Sequence, residues 1–209
     1  MARVQNPIIG QAVNQAGGMI FSVWKQLKVM RSKPLSVANP QTPAQQAVRR
    51  RMALLASLMR ELLSEIRVGF TRFQNGTTQW AQFLKENYAT GTSDNGTIAA
   101  LITTDLKFSK GTLLPMQAGN IAGVTGQQIE LDWTDNSGQQ GANASDVLHV
   151  ILVNANGSAV AAVPVNSTRA DGGVTLTAPA DITAATAKVI VFFANAAGDD
   201  VSDSQYLVA

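Results

Sequence analysis

His149, in the run DVLHVILVNA, is the only histidine of the chain, and the chain has no cysteine. Those two facts bound the chemistry. A cysteine nucleophile, a thiolate metal site and a disulfide are excluded. A histidine-based zinc site needs more imidazoles than one. A Ser-His-Asp triad would have to use His149, and no nucleophile-elbow motif accompanies it. Asp132, Asp135 and Asp146 lie near turn signals and could gather as oxygen ligands for calcium. Their spacing fits no EF-hand loop, so solvated turn carboxylates are the preferred reading. Phosphate-cradling glycine loops are missing as well. The glycine pairs 17–18 and 172–173 read as turn or bulge glycines. The expectation is a non-enzyme without cofactor or metal, with His149 a structural residue on one face of a strand.

The candidates for interaction are basic and aromatic. Arg49, Arg50 and Arg51 fall on the first turns of a helix whose N-terminus is already electropositive. Three readings stand side by side: a solvated face, pairing with acidic groups of a neighbouring subunit, and phosphate contact with nucleic acid. The aromatic interleaving and helix-turn-helix spacing of a sequence-specific reader are missing. Arg31, Lys33, Phe21 and Trp24 lie just upstream and complete the candidate set. Trp24, Trp80 and Trp133 read as core or interface anchors rather than platforms for bases.

The elements that position these residues begin with a hairpin. MIFSVW at 19–24 and KVMRS from Lys28 are rich in β formers, with a turn near Lys25–Leu27. Residues 1–18, rich in Gly, Gln and Asn, read as an irregular arm. Pro34 and Pro40 bracket a linker. Thr42, Pro43 and Gln45 then form a capping box with proline at the first helical position. Val48, Met52, Leu55, Met59, Leu62 and Ile66 recur at helical spacing, and Leu58 and Leu63 widen the stripe. This predicts an amphipathic helix over about 43–69, weakened at Gly69. A second helix is predicted from Thr78 to Ala89, with Trp80, Phe83, Leu84 and Tyr88 on its buried side and Gly91 as its stop.

The pattern then changes to period two. Strands are predicted at 98–103, 105–109, 112–116, 128–134, 146–154, 159–164, 173–177, 187–195 and 204–208, separated by turns such as Asn95-Gly96 and Asn156-Gly157. The fold class is therefore α+β: an N-terminal arm with a β-hairpin, a two-helix α-hairpin, and a C-terminal antiparallel immunoglobulin- or fibronectin-like β-sandwich. The expected domains are 1–41, 42–117 and 118–209, the last boundary lying near the glycine-rich stretch 119–126.

Charge divides the chain in the same way. Only 14% of its 209 residues are charged, well below the usual quarter of a globular chain. Residues 1–120 hold 14 Lys and Arg against 5 Asp and Glu, a net +9; residues 121–209 hold 2 against 9, a net −7. A basic half can meet nucleic acid or the acidic half of an identical subunit. No apolar run reaches signal-peptide length or the ~20 residues of a membrane helix. A protein free of membranes, made in the cytoplasm and retained there or carried in a particle, is expected.

Five segments occur in a telling order: GGMIFSVWKQLKVMRSKP, NPQTPAQQAVRRRM, DLKFSKGTLLP, IELDWTDNSG and VSDSQYLVA. Together they resemble an uncharacterised family of Bacteroidota-type bacteria and the phages that infect them, over most of the chain. That family usually has a glycine-containing hairpin turn where this chain has Gln26-Leu27. The resemblance carries no enzymatic activity. It implies a phage or prophage context, hence a virion structural protein of head, connector or tail, with itself and other virion proteins as partners. A DNA-binding or genome-packaging accessory using the basic half is the alternative, and a surface adhesion or glycan-binding module the further one. Fixing an extended arm costs about 1–2 kcal/mol per residue of backbone entropy. Burying Ile8, Ile9, Met19, Phe21 and Trp24 on a neighbouring subunit would offset that cost.

Overall fold

The computed structural model describes residues 2–3, 14–16, 18–24, 26–36, 39–71 and 77–207. The chain divides into two compact units, residues 1–41 and 42–209.

The first unit is a four-stranded antiparallel sheet in the order β1-β4-β3-β2, from β1 (Ala2–Arg3), β2 (Asn14–Ala16), β3 (Met19–Trp24) and β4 (Leu27–Ser32). The predicted hairpin is its centre, paired from Met19 with Ser32 to Trp24 with Leu27. Leu27 is thus already a strand residue, paired with Trp24, rather than part of the turn. Gln26 sits at φ 66°, the left-handed region that hairpin turns demand and glycine occupies without a Cβ penalty. The arm is not irregular throughout, because β1 pairs with β4 and β2 with β3. A two-stranded ribbon is marginal alone, and the added strands satisfy its outer backbone groups. Ile8, Ile9 and the side chain of Trp24 lie outside the described residues.

The second unit opens on α1 (Pro43–Glu61). The capping box is formed: Thr42 Oγ1 accepts from the Gln45 amide at 3.3 Å, and Gln45 Oε1 accepts from the Thr42 amide at 3.4 Å. The predicted single helix over 43–69 is two, for Leu62 (φ −113°, ψ 30°) separates α1 from α2 (Leu63–Gly69). Neither proline nor glycine marks this break. Leu55, Leu58, Leu62 and Ile66 are buried, while Val48 and Met52, the first members of the predicted stripe, are 47% and 37% exposed. The third helix, α3 (Gln79–Asn87), starts at Thr78, whose Oγ1 accepts from the Ala81 amide at 3.2 Å. A short hairpin follows, β5 (Thr92–Asp94) and β6 (Ala99–Leu101).

The remaining strands are β7 (Gln117–Thr125), β8 (Gln128–Thr134), β9 (Val147–Val153), β10 (Val160–Val163), β11 (Gly173–Thr177), β12 (Lys188–Ala194) and β13 (Gln205–Leu207). They form two antiparallel sheets, β11-β8-β7 and β10-β9-β12-β13. Leu148, Val150 and Leu152 of β9 and Val189, Val191 and Phe193 of β12 share one core with Ile129, Leu131 and Trp133 of β8. The alternate residues Ile151, Val153, Ile190 and Phe192 share another with Leu55, Leu58, Leu62 and Phe83 of the helices. The four-stranded sheet is therefore covered on both faces, and VLHVILV and KVIVFFA read as near-continuous apolar runs. The helices and strands share that second core. The expected boundary at 117/118 thus falls inside one compact unit.

Two predicted strands, 105–109 and 112–116, are not strands. A 3₁₀ turn spans Thr103–Asp105, and Leu113 makes only an isolated bridge to Ser202. Conversely, the glycine-rich stretch expected to mark a domain boundary lies in the nine-residue strand β7, which has register irregularities at residues 117–120 and 121–123.

Candidate interaction surface

The arginine triplet meets its partners within the chain. Arg50 grips Asp94 with both prongs, Nε to Oδ2 and Nη2 to Oδ1, each at 2.8 Å. Arg51 Nε donates to Thr92 Oγ1 at 2.8 Å, its Nη2 to the carbonyls of Thr92 and Tyr88, and its guanidinium lies 4.2 Å from the Tyr88 ring centroid. The two side chains clamp α1 to β5 and to Tyr88 at the end of α3. Cations near a helix N-terminus cost about 0.3–1 kcal/mol each. A bidentate charged pair and four further contacts outweigh that. Arg49 is exposed beside Ala44, Gln45 and Val48, which line a shallow groove.

Hydrogen bonding to Arg50 holds the Asp94 carboxyl at about 2, below its usual range, with the Gly96 amide and the Arg51 charge helping. A depressed carboxyl adds stability that is complete above its unfolded value of ~3.9 and vanishes as pH falls through its folded value. The thermal midpoint of the wild type should therefore exceed that of Asp94→Asn near neutral pH. The gap should close between about pH 4 and pH 2. A gap independent of pH would show that the clamp does not depend on this charge.

His149 and the three aspartates come to rest apart. His149 Nδ1 lies 2.7 Å from Glu65 Oε2, and its ring stacks on Phe192 at 4.9 Å and 7°. It ties α2 to β9, as a structural residue on one face of a strand would. Asp132 and Asp135 are exposed, whereas Asp146 is fully buried and pairs with Arg169. Among the described residues no group of three or more His, Asp or Glu could hold a metal ion.

Arg169 is the residue that sequence reasoning passed over. It is wholly buried, with Nε 2.9 Å from Asp146 Oδ2, Nη2 2.9 Å from the Leu114 carbonyl and Nη1 2.5 Å from Asn136 Oδ1. Its guanidinium lies 4.1 Å from the Phe193 ring centroid. The available signal was that 58 residues, 111–168, lack any Lys or Arg.

The upstream candidates lie in the first unit. Phe21 is buried; Arg31 and Lys33 are exposed and make no ion pair among the described residues. Met19 and Val23, on the same face of β3 as Phe21, are 45% and 56% exposed. Leu35, in the linker, is fully exposed.

The fold and these sites define a mostly β chain whose larger sheet carries helices on one face. Among the described residues, the ion pairs Arg50–Asp94, His149–Glu65 and Arg169–Asp146 each fasten one element to another. The chain belongs to a family of unknown function, DUF6266, whose model matches residues 10–208. No curated protein and no solved structure matches it. Among the described residues no helix is long and apolar enough to cross a membrane.

Proposed function

We propose that the chain is a non-enzymatic structural protein of a phage particle that self-assembles through its N-terminal unit. The observation that carries this reading is the state of that unit. It is a four-stranded sheet whose central strand leaves Met19 and Val23 largely exposed. Among the described residues of this unit Phe21 alone is buried, and ordering a sheet for so little burial is unfavourable unless another surface completes the core. The virion context rests on the resemblance noted above. The occupied state of His149 and of the Arg50–Asp94 and Arg51–Thr92 clamps supports a role without chemistry.

The finer fold assignment belongs to the same proposal. Three strands, β7, β8 and β11, face four, β10, β9, β12 and β13, and buried Trp133 lies between them. This order supports a fibronectin-like sandwich.

Removing residues 1–41 should leave a folded monomer, because both apolar cores lie within residues 42–209. The full chain should sediment as an oligomer at micromolar concentration. Equal assembly with and without residues 1–41 would overturn the reading. The N-terminal unit also has five Lys and Arg and no acid, which suits nucleic acid as a second reading. With Arg50 and Arg51 engaged internally, that reading falls on Lys28, Arg31 and Lys33. A salt-sensitive gel shift lost in Arg31→Gln/Lys33→Gln would favour it.

A further inference from the structure

The outer face of the three-stranded sheet has an unusual composition. Cross-strand partners place nine residues on it: Asn120, Gly123 and Thr125 of β7, Gln128, Glu130 and Asp132 of β8, and Gly173, Thr175 and Thr177 of β11. Two carboxylates stand among small and neutral groups, with no lysine, arginine or large apolar side chain. The side chains of Glu130 and Asp132 are exposed and make no ion pair or hydrogen bond among the described residues. Gly123 stands directly opposite Glu130, and Gly173 directly opposite Asp132. A Cβ at Gly173 would come within 2.8 Å of Asp132 Oδ1. The bare glycines leave both carboxylates open to an approaching strand.

The N-terminal unit supplies the counterpart. Its charged residues are all cations, five in 41 residues. Arg31 and Lys33 are two residues apart at the end of β4, where the Lys33 amide still bonds the Gly18 carbonyl at 2.8 Å. Residues i and i+2 of a strand point to the same side at a rise of about 6.6 Å. Glu130 and Asp132 on β8 have the same spacing and also share a side.

We propose that Arg31 and Lys33 of one copy dock on Glu130 and Asp132 of the next, on the outer face of the sheet β11-β8-β7. This rests on the assembly role proposed above and names its receiving surface. The contact joins two different patches, so it is head-to-tail and builds rings or filaments. Its occupant is a second copy, selected by matched charge and matched spacing. Screening should weaken it, since the Debye length falls from about 10 Å at 0.1 M salt to about 3 Å at 1 M.

The test uses the full chain and mass photometry across a concentration series. Glu130→Lys/Asp132→Lys and Arg31→Glu/Lys33→Glu should each raise the assembly midpoint on the order of tenfold or more. Thermal unfolding should match the wild type; Glu130→Gln/Asp132→Asn and Arg31→Gln/Lys33→Gln serve if the reversals unfold. Mixing the two reversed variants should restore assembly, because the basic arm of the first meets the acidic face of the second and the glutamate arm of the second meets the lysine face of the first. The two variants should then alternate in the assembly, and a mixture no better assembled than either variant alone would overturn the docking pair. A single chain carrying all four reversals should assemble like the wild type. If the acidic-face variants assemble normally while loss of residues 1–41 abolishes assembly, the docking face is overturned and the assembly role stands. A monomeric wild type overturns both.

Discussion

Asp146→Ala should lower folding stability by about 3–5 kcal/mol, because it strands a buried cation. Arg169 is wholly buried, and Asp146 is the carboxylate paired with it. The pair gathers four separate stretches at one end of the two sheets. Arg169 bonds the carbonyl of Leu114 and the side chain of Asn136, its own carbonyl accepts from Trp133 Nε1 at 2.8 Å, and Asp146 Oδ2 accepts from the Asn143 amide at 2.9 Å. Without the carboxylate, the guanidinium keeps its desolvation cost and loses its compensating charge. Arg169→Met should cost a similar amount by leaving Asp146 buried and unpaired. The double variant Asp146→Ala/Arg169→Met should lose less than the sum of the two by about 1–3 kcal/mol, since it removes both charges. Asp146 Oδ1 lacks a hydrogen-bond partner among the described residues, so the native pair is itself under-satisfied. Urea midpoints of the four proteins give the cycle. Additive losses, or single losses below about 1 kcal/mol, would show that the pair does not hold this end together.

The part of the fold readable from sequence is the part written in local rules. Thr42, Pro43 and Gln45 announce α1 because a capping box is a matter of four consecutive residues. Strands β8 and β11 lie where alternation put them, at 128–134 and 173–177. What escaped depended on partners distant in the chain. The strand β7 has little apolar alternation, since it pairs with β8 alone and its register shifts twice, so its glycines read as a domain boundary. Residues 105–109 look like a strand because Leu106 and Phe108 are apolar. Their partners, however, are Asn87, whose Oδ1 accepts from the Lys107 amide at 2.8 Å, and Ser204. The arginine triplet was legible as a basic cluster, read as a solvated face, an intersubunit pair or a phosphate contact, while the pairing of Arg50 and Arg51 within the chain was not. Asp94 lies 44 residues from Arg50, and no periodicity links them.

Gly69→Ala should destabilise the protein by at least about 2 kcal/mol, although helix propensity alone favours alanine by roughly 1 kcal/mol. Gly69 is the last residue of α2, where sequence reading made it a mere weakening of the helix end. A Cβ there would lie 1.9 Å from the Phe108 carbonyl oxygen and 3.1 Å from Ser109 Cα. Both obstacles are backbone, so no side-chain rotation relieves the overlap. The segment they belong to is fixed. The Lys110 amide donates to the Gly69 carbonyl at 3.0 Å, the Phe108 amide to Ser204 Oγ at 3.1 Å, and Ser109 Oγ to the Ser202 carbonyl at 2.7 Å. Moving α2 outward by more than 1 Å would instead withdraw Ile66 and Phe70 from the core they share with Phe83 and Phe108. Either response costs more than the propensity gained. The thermal midpoint should fall by about 4–8 °C, at roughly 2–4 °C per kcal/mol for a chain of this length. Gly18→Ala, whose added Cβ meets nothing within 4 Å, should move it little. If Gly69→Ala raised the midpoint, α2 would have to sit farther from residues 108–109 than a glycine contact requires, and propensity would decide the sign.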